Sequence, residues 1–373
     1  MKNLHNKIIA LILSAIIVVF TFIFIFKKNT EFSENENRYL QGLPKFSFSA
    51  LVKGTYIEKI EDYFADQFPF RDTFMSIKTK TDKLLGKKDI NGVYLGKNDY
   101  LIEKYNIPEN SDKIIETLNK FNETINYVNL NLMLVPTSIS VNYEMLPNNV
   151  EYKSQMEELK YIYDNIDFNT INVYDVLKEQ NKYYQMYYRL DHHWTSYGAY
   201  YAYMEYAKAN DINYLSLNDF NIEEVTAEFN GTLYSKSNDY SRKSDSIHLF
   251  TLDNTNYEVD YVYSKKKTNT LYEMSYLNKK DKYSLFLDNN HPLIVVTNNN
   301  IENNNEIIIV KDSYANSFVP FIVNHFKKVH VIDPRYYNED ISEYIKENKN
   351  IKDALLLYNM NTIDQDIGIL TIK

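Results

Sequence analysis

The 373-residue chain has no cysteine. That excludes disulfides and any metal site built on thiolates. It has no H-E-x-x-H segment either, so the two-histidine helix of a zinc protease is missing. No internal repeat is visible, which argues against a repeat architecture. Positive charge is scarce. The net charge is −9, and residues 1–28 hold four lysines and no acid, which leaves −13 on the remainder. An acidic body argues against nucleic acid as a partner.

What the sequence does have begins at its N-terminus. Ile8 to Phe26 is a 19-residue apolar run, broken only by Ser14 and Thr21. At about 1.5 Å per residue it spans close to the ~30 Å hydrocarbon core of a bilayer. A cleaved signal has a shorter apolar core and a small-residue cleavage site. Here Lys27-Lys28-Asn29-Thr30 follows, so residues 1–28 are expected to be a cytoplasmic stub and an uncleaved transmembrane anchor. Lysines flank both ends, but the short basic stub and the large downstream body favour an extracytoplasmic body. The 35 tyrosines invite a sugar-binding surface. Asn, Lys and Ile are abundant too, however, and a base-composition bias explains all four.

Residues 29–110 read as a polar juxtamembrane segment followed by the helical N-terminal part of the ectodomain. Ile57, Ile60, Phe64 and Phe68 recur at helical spacing until Pro69 interrupts. Over 111–373 an α/β alternation is expected. Leu130–Val135 is a buried strand stopped by Pro136-Thr137. A helix covers 151–166, a strand lies near Ile171–Tyr174, and Thr195 caps a helix to about Ala209. Residues 210–300 are irregular and suggest an insertion or small β-rich lobe. The C-terminal order is clearest: strand Glu306–Val310, helix Ser313–Phe326, strand Val329–Ile332, helix Ile341–Glu347, strand Ala354–Tyr358. Such alternation implies a parallel sheet flanked by helices.

Two segments carry the chemistry. In Asp191-His192-His193-Trp194, an extended backbone would put Asp191 and His193 on one side and His192 and Trp194 on the other. A carboxylate beside an imidazole fixes its tautomer and stabilises the imidazolium. In Lys311-Asp312-Ser313-Tyr314-Ala315, Ser313 follows an apolar strand and opens a helix. Open α/β sheets bind ligands at that edge, and a helix N-terminus offers N–H groups to a developing oxyanion. Ser and Asp are also ordinary N-caps, so each segment alone leaves a structural role open. Asp333, Arg335 and Asn359 end the next two strands at the same edge, where an Asn amide can donate to an oxyanion. A metal reading competes, with His192, His193, His248, His291, His325 and His330 as candidate ligands. Adjacent histidines on an extended segment diverge, and no metal or other cofactor is expected.

Taken together, these segments resemble the DHHW family, which is similar to the J- and X-type proteins of alginate O-acetylation. The resemblance also rests on Glu36-Asn37-Arg38, Pro69-Phe70-Arg71, Val93 to Gly96, Pro136-Thr137, Gly231-Thr232-Leu233-Tyr234 and Asp333-Pro334-Arg335-Tyr336-Tyr337. It implies an SGNH-hydrolase-like α/β fold with circularly permuted block order, the Asp/His segment preceding the Ser. By that match Ser313 is the nucleophile, His193 the general base and Asp191 its orienting carboxylate. Asn359 falls at the third-block Asn, and Tyr314, Arg335 and Trp194 are candidate substrate-binding residues. The expected activity is O-acetyl transfer to a cell-surface or exported polysaccharide, or its removal, beside a membrane-bound O-acyltransferase. The alternative is a non-catalytic scaffold that holds polysaccharide or the acyltransferase. The separation of His193 from Ser313 discriminates between them.

Overall fold

The computed structural model describes residues 2–363 and 368–372. The chain divides into two compact units, residues 1–87 with 238–241, and residues 88–237 with 242–373.

The smaller unit opens on α1 (Lys2–Phe26), of which Leu4–Phe26 is long and apolar enough to cross a membrane. There follow the two-stranded ribbon β1 (Phe32–Ser33) and β2 (Arg38–Tyr39), then α2 (Phe48–Val52), α3 (Thr55–Asp66) and α4 (Arg71–Leu84). Pro69 separates α3 from α4, as its missing N–H and fixed φ require.

The larger unit starts with the antiparallel meander β3 (Asp89–Ile90), β4 (Val93–Leu95) and β5 (Leu101–Glu103). Next come α5 (Ser111–Thr124), β6 (Asn129–Val135), α6 (Ser138–Val141), α7 (Met156–Asp164), β7 (Asn169–Thr170), α8 (Tyr174–Gln180) and α9 (Ser196–Ala209). The stretch beyond holds β8 (Asn221–Phe229), α10 (Thr232–Ser237), β9 (Asp245–Thr251), β10 (Tyr257–Tyr261), β11 (Lys266–Thr268) and β12 (Leu293–Asn298). The chain closes with β13 (Glu306–Lys311), α11 (Ala315–Ile322), β14 (Lys328–Ile332), α12 (Ile341–Glu347) and β15 (Ile351–Asn359).

Eight strands form one sheet in the order β11-β10-β12-β14-β13-β15-β6-β7. From β14 to β7 the pairing is parallel, as the alternation predicts. The other edge is antiparallel, because β10, β11 and β12 join it. Much of the 210–300 stretch is therefore the rim of the central sheet, and only β8 and β9 make a ribbon of their own. Strands β13 and β15 are apolar on both faces, the pattern of a sheet covered on both sides. Ile307, Ile309, Leu355 and Leu357 face one core with α9 and α11. Ile308, Val310, Leu356 and Tyr358 face the other, with α5, α7 and α12. Thr195 caps α9 as expected, its Oγ1 accepting from the Gly198 N–H at 3.3 Å. The helix after Ser313 is shorter than the sequence suggests, covering Ala315–Ile322.

Candidate active site

The site is assembled at the edge where the parallel strands end. Ser313 lies in the turn between β13 and α11, two residues before the helix starts. Asp191, His192 and His193 lie in the loop before α9, which is a bend rather than an extended strand. The bend is closed by an isolated antiparallel bridge between Tyr187 and Trp194 and by an Asx-type bond, Asp191 Oδ1 accepting from the His193 N–H at 3.0 Å.

Within the bend, His193 Nδ1 lies 2.6 Å from Asp191 Oδ1, and its Nε2 lies 2.8 Å from Ser313 Oγ. An ionised carboxylate only accepts, so Nδ1–H donates to Asp191 and Ser313 Oγ–H donates to Nε2. Asp191 is 2 % exposed. Its second oxygen accepts from the Thr232 N–H at 2.8 Å and the Thr232 hydroxyl at 3.1 Å. A Cβ at Gly231 would sit 2.2 Å from that oxygen, so only glycine admits the carboxylate here. Burial pushes the Asp191 carboxyl up, but His192, His193 and the Thr232 N–H outweigh it and hold it well below the usual range. His193 is lowered to about 4, by burial first and by His192 next, with Asp191 opposing. The imidazole is therefore neutral at physiological pH, as a proton acceptor must be.

The loop is held from several directions. Asp245 Oδ2 accepts from the Leu190 N–H at 2.8 Å, and its Oδ1 takes Arg189 Nε at 3.0 Å and Gln185 Nε2 at 2.8 Å. Val93, Leu101 and Leu233 pack on Leu190. The Tyr283 ring stacks on the His193 ring at 3.7 Å between centroids and 9° between planes, and its hydroxyl donates to the Ser313 carbonyl at 3.2 Å.

Several sequence expectations need correction. His192 does not turn away from His193, because the backbone bends. Their rings lie 3.8 Å apart, and His192 Nδ1 bonds Thr232 Oγ1 at 2.7 Å. Trp194 is wholly buried, its Nε1–H donating to the Tyr314 carbonyl and to Ser317 Oγ, both at 2.9 Å. It clamps the DHHW bend to the start of α11 rather than presenting a binding surface. Arg335 is tied to Asp333 by bonds of 2.8 and 2.6 Å and does not line the cavity described below. Asn359 reaches the pocket, but its amide donates to Asp312 Oδ2 at 2.7 Å and to Thr362 Oγ1 at 2.9 Å. Asp312 is the anchor the sequence did not reveal. Besides Asn359 Nδ2 it accepts from the N–H groups of Tyr314 at 2.9 Å and Asn359 at 2.8 Å. Among the described residues the Ser313 N–H has no partner, which leaves it free to donate to a bound oxyanion.

A cavity of about 480 Å³ is lined by neighbours of the triad, though not by Ser313, His193 or Asp191 themselves. His192, Thr232, Tyr314, Asn359 and Thr362 line it together with Glu103, Lys104, Lys236 and Asn361. Its charged groups are paired, Lys236 with Glu103 at 2.6 Å and Lys104 with Asp89 at 2.9 Å. The charges lining it are therefore balanced. Ligand atoms of Asp191, His192 and His193 fall within 4.8 Å of one another. Both ring nitrogens of His193 and both oxygens of Asp191 are already bonded, so a cation would have to break the relay.

The class is thus an α/β protein with a Ser–His–Asp hydrogen-bonded chain at the C-terminal edge of its parallel strands. The family model described as DHHW protein matches residues 36–126 and 92–332, and the chain belongs to that family. Among solved structures, it is similar to a DHHW family protein from Eubacterium siraeum (23 % identity, 76 % of this chain and 96 % of that one, TM-score 0.66). It is also similar to PatB1 of Bacillus cereus with a sulfonyl adduct (19 %, 75 % and 98 %, TM-score 0.63). The likeness to the O-acetyltransferase domain of Pseudomonas putida AlgJ is looser (12 %, 74 % and 93 %, TM-score 0.47). Among curated protein sequences, none matches. The first two likenesses establish the fold.

Proposed function

We propose that the chain is a membrane-anchored, extracytoplasmic O-acetyltransferase, or acetylesterase, acting on a cell-surface or exported polysaccharide. The observation that carries this reading is the continuous Ser313–His193–Asp191 chain, with bonds of 2.8 and 2.6 Å. Ser313 Oγ attacks the carbonyl carbon of an acetyl donor while His193 Nε2 takes its proton, and Asp191 stabilises the imidazolium. The Ser313 N–H steadies the oxyanion. The tetrahedral adduct collapses, the donor's leaving oxygen takes the proton from His193, and acetyl-Ser313 remains. A sugar hydroxyl, or water, then gives its proton to His193 and attacks the acyl carbon. Ser313 leaves and recovers the proton. Asp312 holds Tyr314 and Asn359 so that the turn stays in register. The cleft beside the triad would take a hydroxyl-bearing acceptor, and on this reading α1 is the membrane anchor and an O-acyltransferase delivers the acetyl group.

The adduct of the B. cereus protein points to the test. A serine-directed sulfonyl fluoride should add its mass to the peptide containing Ser313, and Ser313→Ala should lose that adduct. Replacing the gene by the Ser313→Ala allele should alter surface glycan acetylation. No adduct, together with unchanged acetylation, would leave the scaffold reading in possession of the field.

A further inference from the structure

Among residues 4–87 no Leu, Ile, Val, Met or Phe side chain is buried. The buried side chains there are Ser33, Asp66, Gln67, Pro69 and Thr79. Polar bonds hold this interior. Asp66 accepts from Arg38 at 2.9 Å and from the Gln41 N–H at 2.8 Å, and Arg71 pairs with Glu36. Phe64, Phe68, Phe70 and Phe74 by contrast are 42–58 % exposed.

These rings sit together against the anchor. The Phe20 ring is 5.7, 6.2 and 6.0 Å from those of Phe68, Phe70 and Phe74, and the Phe24 ring is 5.2 Å from that of Phe64. Phe20 lies six residues inside the Phe26 end of α1, a depth of about 9 Å along the helix at 1.5 Å per residue. That is well within the outer half of a hydrocarbon core ~30 Å thick. Between the corner and the anchor runs an apolar groove of about 660 Å³, lined by Ile16, Ile17 and Phe20 on one side and Phe64, Phe68 and Phe74 on the other. Of the charged groups at the corner, Asp66 and Arg71 are ion-paired, and Asp72, half exposed, accepts from Asn35 Nδ2 at 2.8 Å.

We infer that the α3–α4 corner is immersed in the outer leaflet beside α1, with lipid acyl chains filling the groove. The inference rests on α1 being the membrane anchor. The occupant is lipid because the corner meets α1 below the end of the span, on a helix whose apolar window is not buried by the protein.

The absence of cysteine makes the test direct. Single-cysteine variants Phe70→Cys, Phe74→Cys, Glu58→Cys and Val18→Cys of the full chain are spin-labelled in phosphatidylcholine vesicles. Collisions with oxygen and with a water-soluble nickel chelate are then measured, after matched thermal unfolding has shown that each variant is folded. Labels at 70 and 74 should match the label at 18, with high oxygen and low chelate collision, while the label at 58 meets the chelate freely. Chelate collisions at 70 and 74 equal to those at 58, with 18 still shielded, would overturn the inference and spare the anchor. Shielding of 70 and 74 from both reagents would mean a protein contact and would overturn it too. A chelate-accessible label at 18 would remove the anchor, and the inference with it.

Discussion

In the larger unit the strands bury Ile307 to Val310 and Leu355 to Leu357, and the charges buried near the site, such as Asp191, Asp245, Lys311 and Asp312, are few beside them and hydrogen-bonded. In the smaller unit Asp66 and Gln67 are inside while Phe64, Phe68, Phe70 and Phe74 lie outside. The same physics sorts both. Apolar side chains leave water, and in the larger unit only the protein's interior offers them refuge. With α1 as a membrane anchor, as proposed, lipid is a second refuge, and polar groups can then occupy the interior provided each is paired. On the inference that the α3–α4 corner meets lipid, burial in this chain reports which medium each unit meets.

The largest effect separates the units by function. Ser313→Ala or His193→Ala should lower kcat/KM on an acetyl ester on the order of 10⁴-fold or more, as in other Ser–His–Asp sites. Phe70→Ser, at the α3–α4 corner, should leave turnover of the same soluble ester unchanged. Comparable losses from Phe70→Ser and Ser313→Ala would dissolve the distinction.

Much of this division was legible beforehand, for identifiable reasons. Strands β13, β14 and β15 announce themselves because a run such as Ile307-Ile308-Ile309-Val310 has no other use in a soluble domain. The apolar run of α1 was legible on length alone. Family membership followed from several motifs in one order. What stayed hidden depends on contacts distant in sequence. Period-two reasoning treated Asp191–Trp194 as extended, but Asp245 bonds the N–H of Leu190, 55 positions before it, and helps to hold a bend there. That bend brings His192 beside His193. The role of Asp312 was invisible because its partners, Asn359 and Thr362, come from the far end of the chain. Strands β10 to β12 were hidden in the irregular 210–300 stretch because an antiparallel sheet rim carries no strand–helix alternation. Glu36-Asn37-Arg38 and Pro69-Phe70-Arg71 stood out as motifs, yet only the structure gives them a task, the paired interior of the smaller unit.

The opposite interiors should fail to opposite chemistry. Leu356→Ala removes packing from the sheet and should cost about 2–5 kcal/mol in the unfolding of the larger unit. Asp66→Ala leaves the Gln41 N–H without its acceptor and Arg38 with Glu36 as its one remaining carboxylate, and should cost about 1–3 kcal/mol, felt in the smaller unit. Hydrogen exchange read peptide by peptide assigns each loss to its unit. If Asp66→Ala left protection over residues 29–87 unchanged, the polar interior would be incidental.

Acid sharpens the comparison, since the titration of His193 belongs to the larger unit. Its pKa falls from 6.5 to about 4 on folding, through burial first. Between those values the unfolded chain takes up a proton that the folded chain refuses. The contribution to stability is therefore whole above pH 6.5, declines as pH falls towards 4, and totals about 3 kcal/mol at most. On the kinetic side the neutral base persists to low pH. The acid limb of kcat/KM should fall near pH 4 rather than 6.5, and a limb at 6.5 in the free enzyme would place His193 in a wetter setting than the structure shows.

The smallest expected effect tests whether the irregular stretch serves the site or merely borders it. Tyr283 belongs to that stretch, yet its ring stacks on His193 and its hydroxyl bonds the Ser313 carbonyl at 3.2 Å and Ser317 Oγ at 3.0 Å. Tyr283→Phe keeps the ring and removes the hydroxyl, so it should cost about 1 kcal/mol and leave the acid limb in place. Tyr283→Leu also removes the stack, adding about 0.5–1.5 kcal/mol. It opens one face of His193 to water, so it should move the limb upward towards 6.5, because desolvation is the first cause of the depressed value. The pair thus separates two roles that a single stability measurement would merge. A limb that moved equally in both variants would assign the effect to the hydroxyl, and one that moved in neither would make Tyr283 a packing residue alone.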